Sequence, residues 1–245
     1  MNTRICYQEK VNSGQPMPLT KEKWDELIDS PIVKNICARI AELDPEAEDY
    51  NDRKQALKKR LPIIIPHAAS FANGKRVSAD ATPSGLAMLD VDHVENPKDF
   101  LNDVMSRAKA LNGDATLNDV LRTNGIVLVA ITASGKGLRI IGERRPNPNP
   151  FLKGRELESI EAAQMRMAEV LGIKEYYAVT KDLARASYVV PREYVLYIDE
   201  TGLLFMDGQR TDAIKGESRL TDGAIDEIKP LMALPPHVEE QAVRG

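Results

Sequence analysis

The sequence predicts a mixed α+β protein in which a central, antiparallel-rich sheet is flanked by helices and preceded by a helical N-terminal region. Three observations carry this expectation. Short apolar, β-branched runs of strand length recur between stretches with helical spacing. Two of these runs, 126–132 and 138–141, are separated by Ser134-Gly135-Lys136-Gly137, a turn that returns the chain as a hairpin. Residues 1–60 instead carry helix starts and stops.

Taken in order, Thr20 caps a helix over 21–29, and Ser30-Pro31 sets a cap before proline at the first helical position of a helix over 32–43. A third, very polar helix is expected over 46–60. Its basic end, Lys58-Lys59-Arg60, lies where the helix dipole favours cations, and Pro62 stops it. Strands are expected at 63–65 and 86–91, then a helix capped by Asn96-Pro97 and reaching residue 111, then the hairpin. After the break at Pro146, Pro148 and Pro150, a long helix carries Leu157, Ile160, Met167 and Leu171 as core residues. Strands at 186–190, 195–198 and 203–206 follow, the last two joined by the turn Asp199-Glu200-Thr201-Gly202. The expected organisation is thus a helical region over 1–60, a core over 61–212 and a polar, peripheral tail over 213–245.

The chain has 245 residues, 42% hydrophobic and 29% charged, enough apolar content to bury a sizeable core. With 33 Lys+Arg against 37 Asp+Glu the net charge is -4, which excludes a uniformly basic, nucleic-acid-gripping surface but not local basic clusters. Cys6 and Cys37 form neither a metal-ligand spacing nor a disulfide framework, and no apolar run is long enough for a membrane span or a signal peptide. The expectation is a cytoplasmic protein without membrane partners. His67, His93 and His237 show no metal-binding spacing.

Three elements carry chemistry. The apolar run Ala87-Met88-Leu89-Asp90-Val91-Asp92 ends in two carboxylates one residue apart. In a strand these share a face, and a hard divalent cation, Mg²⁺ or Mn²⁺, is a common reason to keep such a pair ionised. The turn Ser134-Gly135-Lys136-Gly137, with Arg139 beyond it, offers a hydroxyl, glycine amides and cations as a triphosphate cradle. It is not a Walker A loop, because Ala130 and Gly137 stand where that motif needs Gly and Ser or Thr, and a strand follows it. In Lys181-Asp182-Leu183-Ala184-Arg185, Asp182 is a candidate third carboxylate for the metal and Arg185 a phosphate ligand. Each element also has a plain structural reading, respectively two solvated carboxylates, a glycine hairpin and a surface Asp–Arg pair.

The order of these elements resembles the VirE N-terminal family, within the archaeo-eukaryotic primase superfamily of primase-polymerases found in plasmids, phages and other mobile elements. The resemblance runs from residue 50 to residue 200 through Ala56-Leu57-Lys58-Lys59-Arg60-Leu61-Pro62, Phe71-Ala72-Asn73-Gly74-Lys75-Arg76, Ser84 to Asp92, Ser134 to Leu138 and Lys181 to Arg185, with Pro191 and Tyr197 behind. It implies a primase-like fold and metal-dependent nucleotidyl transfer on a single-stranded DNA template with nucleoside triphosphates. Asp90 and Asp92 would be catalytic metal ligands, and Ser134, Gly135, Lys136, Gly137 and Arg139 would contact the incoming phosphates. Many members have histidine where Arg139 stands. Tyr177 occupies the position where related sequences often carry an Asp, leaving Asp182 as the nearest substitute. A template track would draw on Lys54, Lys58, Lys59, Arg60, Lys75, Arg76, Arg144 and Arg145. Relatives are commonly fused to, or encoded beside, a replicative helicase.

Two other functions share these residues. One is a non-catalytic primase-fold module that binds nucleotide or nucleic acid beside a helicase, in keeping with Tyr177 and the acidic net charge. The other is a phosphatase of the haloacid dehalogenase type, with Asp90 as nucleophile, Asp92 as general acid and Thr132 on the second strand.

Overall fold

The structure is a computed structural model that describes residues 3–12, 14–94, 96–112, 116–147, 156–174, 176, 182–205 and 219–220. It is an α+β architecture built on antiparallel sheets. The central sheet contains β6 (Leu86–Asp92), β7 (Ile126–Ile131), β8 (Gly137–Glu143), β10 (Val195–Ile198) and β11 (Arg219–Leu220), in the order β11-β10-β7-β8-β6. A smaller sheet has the order β2-β1-β3-β9, from β1 (Cys6–Gln8), β2 (Met17–Pro18), β3 (Ile63–Ile65) and β9 (Ser187–Tyr188). A two-stranded ribbon pairs β4 (Ala68–Phe71) with β5 (Ala81–Pro83).

The strands of the central sheet are apolar on both sides because both faces are covered. One face packs Ala87, Leu89, Val91, Val129 and Ile140 against α4 (Phe100–Asn112), α5 (Leu117–Thr123) and α6 (Ile160–Leu171). The other packs Leu86, Met88, Leu128 and Ile141 against β3 and the N-terminal helices α1 (Lys21–Ile28) and α2 (Pro31–Ala41), with Leu57 of α3 (Tyr50–Lys58). Asp90 has the parity of Leu86 and Met88 and so lies on this second face, at the end of the strand.

Strand β6 is an edge of the sheet, and both outward backbone groups of Met88 are capped by side chains. The buried His67 Nε2 accepts the Met88 N–H at 3.0 Å, and Gln164 Nε2 donates to the Met88 carbonyl at 2.8 Å.

Several sequence expectations are corrected. Of the strand expected over 203–206, Leu203 and Leu204 instead close helix α7 (Glu200–Leu204), because the Asp199 carboxylate accepts from Gly202 N at 2.9 Å and caps a helical turn; Phe205 bridges to Thr3, and 206 lies outside the described residues. The helix after the proline break begins at Ile160, with Ser159 as its cap. Leu157 lies outside it, bridged to Pro146 and 38% exposed. Helix α3 is shorter than 46–60, and the helix expected from Asn96 starts at Phe100, since Asn96 and Asp99 close a separate turn first. The strand expected over 186–190 spans only two residues. The N-terminal region is not purely helical, because β1 crosses the small sheet between β2 and β3. Of the tail expected to be peripheral, 219–220 pair with β10, and the remainder from 221 lies outside the described residues.

Candidate functional site at the Asp90 end of the sheet

Antiparallel pairing sets Asp90 directly opposite Arg139, and Asp92 opposite Gly137. Opposite charges facing each other across a ladder attract, and here Arg139 Nε donates to Asp90 Oδ1. Arg185 comes from the segment before β9, and its Nη2 donates to Asp90 Oδ2 at 2.8 Å. Both carboxylate oxygens of a residue only 8% exposed are therefore held by guanidinium groups. Burial opposes ionisation of Asp90, but Arg139 and Arg185 outweigh it and hold the carboxyl below its ordinary value. Arg139 is further fixed by an Nη1 bond to Ser187 Oγ on β9.

A third cation approaches from α3. Lys58 is half-buried; its ammonium is shifted down, first by desolvation and then by Lys54 and Arg139, while Asp92 acts in the opposite direction. That places Lys58 within electrostatic reach of both strands. Tyr188 lies within the fields of Arg76 and Arg139, which oppose the upward shift that burial imposes on its hydroxyl. The site thus forms where the end of β6 and β8, the edge strand β9 and the end of α3 converge.

The turn beside it is built for hairpin geometry. Gly135 has φ 72°, a left-handed conformation suited to glycine, and its N–H is consumed by the Thr132 carbonyl at 2.8 Å. Gly137 is glycine because a Cβ there would sit 2.7 Å from the Val91 carbonyl oxygen. The expectation that glycine amides cradle an anion is therefore not met at Gly135. Ser134 Oγ lies 3.2 Å from Thr132 Oγ1, whereas Lys136 is exposed and bonds through its carbonyl to Val94 N, which ties the turn to the end of β6.

Asp182 is not brought to Asp90 and Asp92. Its Oδ1 accepts from Ser78 Oγ and from Ala184 N at 2.8 Å, which shapes the loop that presents Arg185. Its carbonyl accepts from Nδ1 of His67 at 3.0 Å. With Met88 N–H donating to Nε2, this fixes the His67 tautomer with the proton on Nδ1. His67 thus links the Asp182 loop to β6, the strand of Asp90. Among the described residues no group of three or more His, Cys, Asp or Glu side chains is placed to hold a metal. The pair Asp90–Asp92 has the hard oxygen donors that suit Mg²⁺ or Mn²⁺, and it fits such an ion once Asp90 gives up one guanidinium.

The proposed template cations are scattered. Arg144 donates from Nε to the Glu158 carbonyl at 2.6 Å, and Arg145 from Nη2 to the Thr123 carbonyl at 3.2 Å; both follow the end of β8 away from Arg139. Arg76 donates to the Val11 carbonyl at 2.9 Å, and Lys75 and Lys59 are exposed. Lys54 stacks over Tyr50, its Nζ 4.3 Å from the ring centre. Arg60 joins Arg39, Arg53 and Glu42 around a cleft of about 390 Å³ between α2 and α3. Tyr177, Lys181 and His237 lie outside the described residues.

Sequence reasoning missed Ser187 and His67. Ser187 is an ordinary small polar residue at the start of a two-residue strand, and the pairing of His67 across 115 residues with Asp182 has no local signal. Cys6 and Cys37 are buried free thiols, pushed up by burial to about 11 and about 12. No described helix is long and apolar enough to cross a membrane. Comparison of the chain with protein-family models, with curated proteins and with solved structures returned no match.

Proposed function

We propose that the Asp90 end of the central sheet binds the phosphates of a nucleoside triphosphate, and that the chain is a primase-polymerase-type nucleotidyltransferase acting on a single-stranded DNA template. The observation that carries this reading is the charge balance. The buried Asp90 carboxylate is held by both Arg139 and Arg185, and Lys58 acts electrostatically on Arg139 and on the exposed Asp92, so three cations accompany two carboxylates. Guanidinium forks match phosphate oxygens, and partial burial strengthens the attraction. In nucleotidyl transfer these side chains would orient the triphosphate and offset charge that develops on it. Asp90 and Asp92 would hold a divalent ion, whose chemistry there is Lewis-acid polarisation of the phosphate. A replicative helicase as partner, and replication of a plasmid, phage or other mobile element as setting, belong to the same proposal and rest on the family resemblance alone.

A non-catalytic nucleotide-binding module is the second reading. It is favoured by Asp182, whose carboxylate serves its own loop and Ser78. The phosphatase reading loses support because a strand, not a helix, follows the turn after Thr132. Extension of primed and unprimed single-stranded DNA with labelled nucleotides and Mg²⁺ or Mn²⁺ separates the two remaining readings. Products from the native chain that are lost in Asp90→Asn and in Asp92→Asn, both checked for native circular dichroism, support catalysis. Triphosphate binding without product supports the module.

A further inference from the structure

The Asp90 cluster has an internal conflict. A carboxylate bound by two guanidiniums is a poor cation ligand, yet the same guanidiniums are the donors a triphosphate needs. The two arginines are not equivalent in this. Arg139 sits in the middle of a paired strand and is braced by Ser187. Arg185 lies outside any strand, its side chain is 29% exposed, and among the described residues Asp90 is its side chain's only partner. Of the five N–H donors of a guanidinium, this bond uses one, and no other bond of the Arg185 guanidinium is shown among the described residues.

We propose that Arg185 is an exchange residue: it occupies Asp90 in the absence of triphosphate, turns to the triphosphate when one binds, and thereby makes divalent-cation binding at Asp90–Asp92 depend on the triphosphate. This rests on the triphosphate reading of the site. Transfer of Arg185 to a phosphate uncovers Asp90 Oδ2. It also leaves two like charges on one strand face, Asp90 and Asp92, with less compensation, which favours a cation between them. Because coupling between two ligands is reciprocal, a cation on Asp90 releases Arg185 and tightens the triphosphate in turn. Phosphate and metal then assemble together, and a bare ion is kept off the strand.

The test is one substitution read in two titrations. In Arg185→Gln, Mn²⁺ binding without nucleotide, followed by electron paramagnetic resonance, should tighten on the order of tenfold, and dATP binding in EDTA, followed by calorimetry, should weaken on the order of tenfold. Adding Asp90→Asn to Arg185→Gln should remove the gain in Mn²⁺ affinity, which assigns it to this carboxylate. A merely structural arginine would weaken both ligands or neither, and either result overturns the proposal. Unchanged Mn²⁺ affinity with normal dATP binding by the native chain overturns the exchange alone. Failure of the native chain to bind dATP both in EDTA and with Mn²⁺ overturns the triphosphate reading, and the exchange with it.

Discussion

The two ends of strand β8 both carry arginines and carboxylates, and they differ in how the charge is satisfied. At the Glu143 end, the buried Arg4 donates to Glu143 at 2.7 Å, to the Gly202 carbonyl at 2.7 Å and to the Ser84 carbonyl at 3.2 Å. Arg166 there pairs with Glu158 and also donates to the Asn124 and Glu143 carbonyls at 3.1 and 2.6 Å. Backbone carbonyls from several segments absorb the donors, those of Arg144 and Arg145 among them, and Arg4 and Arg166 each have their own carboxylate. At the Arg139 end, Arg139 and Arg185 share Asp90, Lys58 adds charge, and Ser187 is the one further side-chain acceptor shown. The first end is saturated and holds the chain together. The second retains unused donors and surplus charge, which is what a site for an anion requires.

That contrast can be broken at either end. The largest stability effect belongs to Arg4→Ala, which removes the buried guanidinium that Glu143 accepts from and the donor to two buried carbonyls. A loss of about 3–5 kcal/mol in urea unfolding is expected, with dATP affinity unchanged if the folded fraction is counted. Asp90→Asn acts in the opposite sense on binding. Removing the anion that competes for Arg139 and Arg185 should tighten dATP in EDTA severalfold, at a stability loss of about 1–3 kcal/mol, and calorimetry reads both the sign and the size. If that variant weakens dATP instead, the guanidiniums are not the phosphate ligands.

Protonation gives a gentler test. Burial, the largest influence, lowers the pKa of His67, so the folded protein holds it neutral while the unfolded chain takes up a proton near pH 6.5. Unfolding free energy should therefore be fully developed above about pH 6.5 and fall as the pH drops below it, and His67→Gln should flatten that slope. Asp90 acts in a separate window. Its depressed pKa gives stability that is present above about pH 4 and lost as the pH falls through its folded value. The smallest change is Lys136→Gln, an exposed side chain, with stability within about 0.5 kcal/mol and dATP affinity down about two- to fivefold.

Much of the near end was legible in the sequence because it depends on local periodicity. Strand alternation puts Asp90 and Asp92 on one face, and the hairpin makes β8 run back beside the chain so that Arg139 can meet a neighbouring strand. What could not be read was the pairing across long separations: Arg185 with Asp90 over 95 residues, and His67 with Asp182. Strands β1 and β2 of the small sheet escaped notice because they are only three and two residues long and show no period. Leu203-Leu204-Phe205 has no periodicity that separates strand from helix, and the Asp199 cap decides it. The partners of Asp182, Ser78 and Ala184, were equally hidden, because an acidic residue before a strand says nothing about which donor is nearest in space.

The decisive measurement is a crystal structure of the chain with bound dATP and Mn²⁺. Phosphate oxygens within hydrogen-bond distance of Arg139 and Arg185, with Asp90 released by Arg185 and turned to the ion, is the expected result. A triphosphate seated elsewhere, for example in the Arg39–Arg53–Arg60 cleft, with Asp90 still held by both guanidiniums, would contradict it.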